Sequence, residues 1–146
     1  MQLQFLSPIH KASRQITIYL ERATAELGVS PVEGHLLSYL KTYSPCPVSE
    51  IERVFGHKPS TLTSILDRLA EHNLVTRQIN ASDRRSFTIE LTSEGRKLAG
   101  KLQKTLEAFE QRLQDCITEK EIAGFRAVME AIAEVTDVNL KEKEKT

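Results

Sequence analysis

Thr76-Arg77-Gln78-Ile79-Asn80 and Ser86-Phe87-Thr88-Ile89-Glu90-Leu91 bracket the polar stretch Ala81-Ser82-Asp83-Arg84-Arg85. The flanks read as two short strands, and residues 81–85 as the loop between them. That loop carries two guanidinium groups side by side at its tip. A hairpin exposing paired arginines does little for packing. It suits a probe for a narrow, negatively charged groove, because arginine is planar, always charged and weakly hydrated. The plainer alternative is a solvated turn whose arginines pair with Asp83. The segment before the hairpin decides between the two.

That segment reads as two helices joined by Gly56-His57-Lys58, a turn length typical of a helix-turn-helix. The second of the pair spans about 59–72, with Asn73 able to take the left-handed position after it. Leu62, Ile65, Leu66 and Leu69 face inward by their spacing. Ser60, Thr63, Ser64 and Asp67 are left on the outer face, with Thr61 and Arg68 on the flanks. Small hydroxyl residues at a helix start let a duplex approach closely, and the free N–H groups there favour phosphate. Ser and Thr are also ordinary capping residues, so the basic hairpin downstream carries the distinction.

Working outward, capping signals divide the rest of the chain. Ser30-Pro31-Val32-Glu33 places a cap hydroxyl, a proline at the first helical position and a glutamate at the third. Ser49-Glu50-Ile51-Glu52 and Thr118-Glu119-Lys120-Glu121 repeat the box without the proline, and Thr92 has only Gly95 at its third position. The pattern predicts six helices, over about 7–27, 31–43, 50–55, 59–72, from 93 onward, and 119–138. Gly28 and Gly56 stop the first and third. Ile9, Ala12, Ile16, Leu20, Ala23 and Leu27 form a stripe on the first helix. Leu98, Leu102, Leu106, Phe109, Leu113 and Ile117 form one on the fifth, and Ile122, Phe125, Met129, Ile132 and Val135 one on the last. A fifth-helix seam that long has too little of its own chain to pack against. A homodimer is expected, ahead of an intramolecular three-helix cluster. The sign-alternating residues 141–146 read as a solvated tail.

Composition sets the outer bounds. A chain of 146 residues can bury a core of its own. Lys plus Arg and Asp plus Glu are equal at 20 each, which excludes a generally basic nucleic-acid coat. Over residues 57–88, five cations (Lys58, Arg68, Arg77, Arg84, Arg85) meet three acids (Asp67, Glu71, Asp83), so this stretch alone is net positive. Aromatic content of 5% argues against a stacking platform for single strands. Cys46 and Cys116 are too far apart for a disulfide framework, and the four histidines have no ligand spacing. No cofactor or metal is expected. The start of the chain lacks a signal-peptide pattern and no segment is long enough to span a bilayer, so a cytoplasmic location without membrane partners is expected. Nucleophile elbows, phosphate-binding glycine loops and HExxH motifs are missing, which argues against an enzyme.

Leu66-Asp67-Arg68-Leu69, Asn73-Leu74-Val75-Thr76-Arg77, Asp83-Arg84-Arg85-Ser86 and Leu91-Thr92-Ser93-Glu94-Gly95-Arg96, in that order, resemble the winged-helix core of the MarR family of bacterial regulators. The resemblance implies a mainly α fold with a small β-hairpin wing. A winged helix-turn-helix lobe over 30–92 would join a helical dimerisation region from 1–29 and 93–140, all within one chain of 1–146. It implies a homodimeric transcriptional regulator, a repressor by default, bound to a pseudo-palindromic double-stranded DNA operator and released by a small aromatic or anionic effector. Lys58, Ser60, Thr61, Thr63, Ser64, Arg68, Arg77, Arg84 and Arg85 would face DNA, with Arg85 as the minor-groove arginine, Arg68 and Arg77 as backbone-binding or wing-bracing positions, and Asp83 as the acid that orients a neighbouring arginine and braces the wing. Tyr19, His35 and Tyr39 are placed at the effector pocket. Two departures stand out. Asn73 replaces the family's usual Gly, and the start of the fourth helix lacks Arg, Lys, Gln or Asn for bidentate base readout. The competing function is a winged-helix protein-interaction module that does not bind DNA.

Overall fold

The computed structural model describes residues 1–80 and 82–138, and for 83–85 the backbone alone. The tail expected at 141–146 lies outside the described residues, as do the side-chain roles assigned to Asp83, Arg84 and Arg85.

Ser30 caps α2 (Pro31–Tyr43). Its hydroxyl accepts from the Glu33 N–H, and the Glu33 carboxylate accepts from the Ser30 N–H. Two donors that a helix start leaves orphaned are thereby satisfied, with Pro31 at the position that needs no N–H. α1 (Leu6–Thr24) comes before it and tightens into a single 3₁₀ turn at Ala25–Leu27, so the first predicted helix is two elements.

The segment after α2 corrects the sequence reading. The Ser49-Glu50-Ile51-Glu52 box predicted Ser49 as the cap of the next helix. Instead β1 (Cys46–Pro47) pairs antiparallel with β3 (Asp83–Leu91), Cys46 opposite Ile89 and Pro47 opposite Thr88. That pairing fixes Pro47 as the residue before α3 (Val48–Phe55), and Ser49 falls inside the helix with no capping role. The Ser44 hydroxyl accepts from the Leu91 N–H at 3.0 Å and ties the same junction together. β2 (Val75–Asn80) pairs with the other edge of β3, giving the order β1-β3-β2. The wing is thus a three-stranded sheet, and its tip is tighter than the five-residue loop predicted. Asn80 is already opposite Asp83, while Ile79 faces Phe87, so the register slips between Ile79 and Asn80.

α4 (Pro59–Glu71) follows the turn at Gly56, which ends α3 with φ 65°. That left-handed conformation costs glycine nothing sterically. Asn73 takes φ 57° after α4, as its side chain tolerates. α5 (Ser93–Gln114) starts at Thr92, whose hydroxyl accepts from the Gly95 N–H at 2.9 Å. α6 (Glu119–Thr136) starts with the complete box predicted, and the Thr118 N–H and hydroxyl hold the Glu121 carboxyl below its usual range.

The core is aliphatic. Leu36, Leu37 and Leu40 of α2 meet Leu62, Ile65, Leu66 and Leu69 of α4, with Ile51, Val75, Ile89 and Leu91 closing the sides. Ala99 and Leu102 anchor the first half of α5 to it. Beyond them burial ends. Leu113 is 43% exposed, Phe125 63% and Val135 87%, and α6 buries no residue. The predicted stripes on α1, distal α5 and α6 are therefore present but at most half covered by this chain. No helix among the described residues is long and apolar enough to cross a membrane.

Candidate nucleic-acid interface

Two inward rows of leucine and isoleucine press α4 onto the lobe, and this leaves Ser60, Thr61, Thr63, Ser64, Asp67 and Arg68 exposed, as their spacing predicted. Lys58 stands exposed at the N-cap, without a side-chain bond to the helix start. The first backbone i−4 bond of α4 runs from the Leu62 N–H to the Lys58 carbonyl at 3.0 Å. The N–H groups of Ser60 and Thr61 lie before it and, as at any helix start, have no i−4 partner within the helix. With Pro59 at the first position, the helix start presents a positive dipole end and two donors. The Thr63 hydroxyl donates to the Pro59 carbonyl at 2.8 Å, and that of Ser64 to the Ser60 carbonyl at 3.2 Å. Both hydroxyls thus turn their lone pairs outward, fitted to accept from a base amino group.

The two arginines nearest α4 are each held by an acid of the same chain. The Arg68 Nε donates to the Glu33 Oε1 at 2.8 Å. Glu33 is almost buried and its other oxygen closes the α2 cap, so one carboxylate holds both the start of α2 and the reading helix. Arg77 of β2 pairs with Asp67 of α4, which braces the wing against the outer helix face. Sequence reasoning named both acids, Glu33 as a cap and Asp67 on the outer face, but missed both pairings. Glu33 is thirty-five positions from Arg68, and no local signal links them.

The wing base is locked to α5. The Thr92 hydroxyl donates to the Asn73 carbonyl at 2.6 Å, and the Thr92 N–H to the Leu74 carbonyl at 3.1 Å. A Cβ on Gly95 would lie 2.0 Å from that same Leu74 oxygen. The incomplete box read at Thr92 has its reason here, because the position must stay bare for the wing base to sit against the helix.

The three effector-pocket residues do not share one site. His35 lines a cavity of about 420 Å³ among α1, α2, α5 and α6, with Ile16, Leu20, Leu102 and Met129 among its walls. Tyr39 lines a separate groove, which His35 also borders. Tyr19 lines neither. Its ring lies 4.9 Å from Phe109 and its hydroxyl accepts from Arg112 Nη1 at 3.2 Å. Cys46 is buried, and burial pushes its thiol up. The nearby Glu50 charge adds to the shift and a Tyr39 hydrogen bond opposes it, the reverse of what a reactive thiolate needs. Cys116 is exposed. Among the described residues no group of three or more His, Cys, Asp or Glu is placed to hold a metal.

Residues 29–87 match the MarR family. The chain is 32% identical over 123 residues to the HTH-type transcriptional repressor MdtR of Bacillus subtilis (strain 168), across 81% of this chain and 76% of that protein. The chain belongs to the MarR family. It is a MarR family winged helix-turn-helix transcriptional regulator. The MarR fold extends to nearly the whole chain. The S. aureus MepR–DNA complex superposes with a TM-score of 0.84 at 20% identity, covering 92% of this chain and 99% of that one. A mutant MarR from E. coli complexed with operator DNA gives 0.78 at 20% identity, covering 86% and 91%. The MarR match runs from the residue before the α2 cap into β3, and the alignment with MdtR carries the sequence likeness beyond it into the flanking helices.

Proposed function

We propose that two copies of this chain form a homodimer that binds a pseudo-palindromic operator and represses transcription until a small molecule enters each protomer. Residues 30–92 form the DNA-reading lobe, and 1–29 with 93–140 form the dimerisation region. The observation carrying the dimer is the apolar surface that α1, distal α5 and α6 leave uncovered. Lys58, Ser60, Thr61, Thr63 and Ser64 address the major groove and its phosphates. Arg84 and Arg85 address the flanking minor groove. Arg68 and Arg77 hold the reading surface in shape through Glu33 and Asp67. Relatives support the reading, since MdtR is named a repressor, and MepR and E. coli MarR were crystallised with DNA. Release has a structural route. The 420 Å³ cavity is walled by Ser30, Pro31 and Gly34 of the first α2 turn, whose Glu33 grips Arg68 of α4. A ligand that shifts this turn shifts the reading helix with it.

Two measurements test this. In sedimentation at micromolar concentration the chain should run at twice its own mass, and a monomer there would sink the dimer. In a mobility shift on DNA from upstream of its own gene, Arg85→Ala should weaken binding about tenfold, within the ~1–3 kcal/mol of a lost groove contact. Its thermal midpoint should not change. The pairing of Arg68 and Arg77 with the chain's own acids favours the second reading, a protein-interaction module. Undetectable binding to that DNA by the unaltered protein would favour it further.

A further inference from the structure

The apolar face of the wing runs on past the core. Val75 opposite Leu91 and Arg77 opposite Ile89 stand on one face of the β2–β3 pair, because strand side chains alternate. Val75, Ile89 and Leu91 are buried. Ile79 opposite Phe87 is the next pair on that face, and it lies beyond the core. Ile79 is 63% exposed and Phe87 40%. The other face carries Thr76, Gln78, Thr88 and Glu90, as a solvated face should. An Ile–Phe pair helps to hold a hairpin together, but a pair of threonines would do so without exposing apolar surface.

Arg77, two residues nearer the lobe on the same face, pairs with Asp67 on the outer side of α4. The exposed pair therefore lies between the reading helix and the wing tip, where Asn80 stands opposite Asp83. Two side chains fall far short of the ~800 Å² per partner that a stable protein contact buries. A duplex seated on α4, with the wing tip in its minor groove, runs directly past them. Two strands about 4.8 Å apart, thickened by these side chains, are wider than a minor groove of about 6 Å. Only the tip can enter, and the pair behind it comes to rest on the sugars that border the groove.

We infer that Ile79 and Phe87 form an apolar contact with the deoxyribose rim of the operator's minor groove. The inference rests on the wing-tip reading proposed above. The contact removes C–H surface from water on both partners. It neutralises no phosphate and touches no base edge, so it adds affinity that is insensitive to salt and neutral to sequence.

The double variant Ile79→Thr/Phe87→Thr keeps good strand formers and removes most of the apolar surface. In a salt titration on labelled DNA from upstream of the chain's own gene, it should bind about tenfold weaker throughout, with the logarithmic slope unchanged. Calorimetry should give a less negative heat-capacity change on binding. Ile79→Val/Phe87→Leu should retain most of the affinity, and Arg85→Ala, as the reference, should weaken binding and flatten the slope. Undiminished affinity in the threonine variant, with Arg85→Ala impaired, would sink the apolar contact alone. A slope flattened as in Arg85→Ala would mean that the pair only props up the tip. A sedimenting mass different from that of the unaltered chain would assign the pair to a protein contact. Either result overturns the inference. If Arg85→Ala also binds normally, the wing-tip reading falls and this contact falls with it.

Discussion

Operator affinity should fall about 10³-fold when salt is raised from about 50 to about 200 mM, as expected if the dimer neutralises about six phosphates. The figure follows from the contacts proposed. Lys58, Arg84 and Arg85 on each of two lobes give roughly six contacts and a logarithmic slope of about −5. Net charge adds nothing, because the chain has 20 basic and 20 acidic residues. The slope also reports on the internal ion pairs. If DNA draws Arg68 away from Glu33 and Arg77 away from Asp67, the count rises to about ten and the slope approaches −9. Labelled operator titrated at four or more ionic strengths separates these cases. A slope flatter than about −2 would show that phosphate contributes little and would remove the basis of the proposed interface.

The second large effect concerns stability. Gly95→Ala should cost about 3 kcal/mol or more, the upper end for overpacking a rigid site. The added Cβ would meet the Leu74 carbonyl oxygen at 2.0 Å and the Leu91 side chain at 3.1 Å. The carbonyl cannot swing aside cheaply, since it already accepts from the Thr92 N–H that starts α5. The wing base or the first turn of α5 must therefore move. Urea unfolding would measure the loss, and the hydrogen bond between Thr92 and Asn73 should be lost with it. A stability within about 0.5 kcal/mol of the unaltered chain would mean that the junction is looser than its geometry indicates.

Local chemistry made much of the architecture legible in the sequence. Ser30-Pro31-Val32-Glu33 located the start of α2 because every partner in a capping box lies within four residues. The inward row of α4 and the left-handed Asn73 were likewise readable from periodicity and from one residue's tolerance. Ser49 misled because its local box looked complete. The start of α3 is set instead by Cys46 pairing with Ile89, a contact between distant segments that no window of sequence contains. The functional surface divides the same way. Exposure of Ser60, Thr63 and Ser64 followed from helical spacing, whereas the engagement of Arg68 depends on a carboxylate from another helix. Tyr19 was assigned to a pocket by helix and residue type, yet Arg112 and Phe109 of α5 hold it elsewhere. The groove that Tyr39 lines did leave a trace, since His35, Tyr39 and Tyr43 recur every four residues along one face of α2.

Asp67 keeps Arg77 occupied on the surface offered to phosphate. An incoming anion must displace a competitor tethered to the same fold, which re-forms its contact far faster than a free ion can arrive. A stray polyanion touching the lobe at one point gains little from that guanidinium. A duplex seated along α4 and the wing delivers many phosphates together and can dislodge the carboxylate. The acid thus acts as a threshold against indiscriminate adhesion, and weakening it would yield a stickier, less discerning protein.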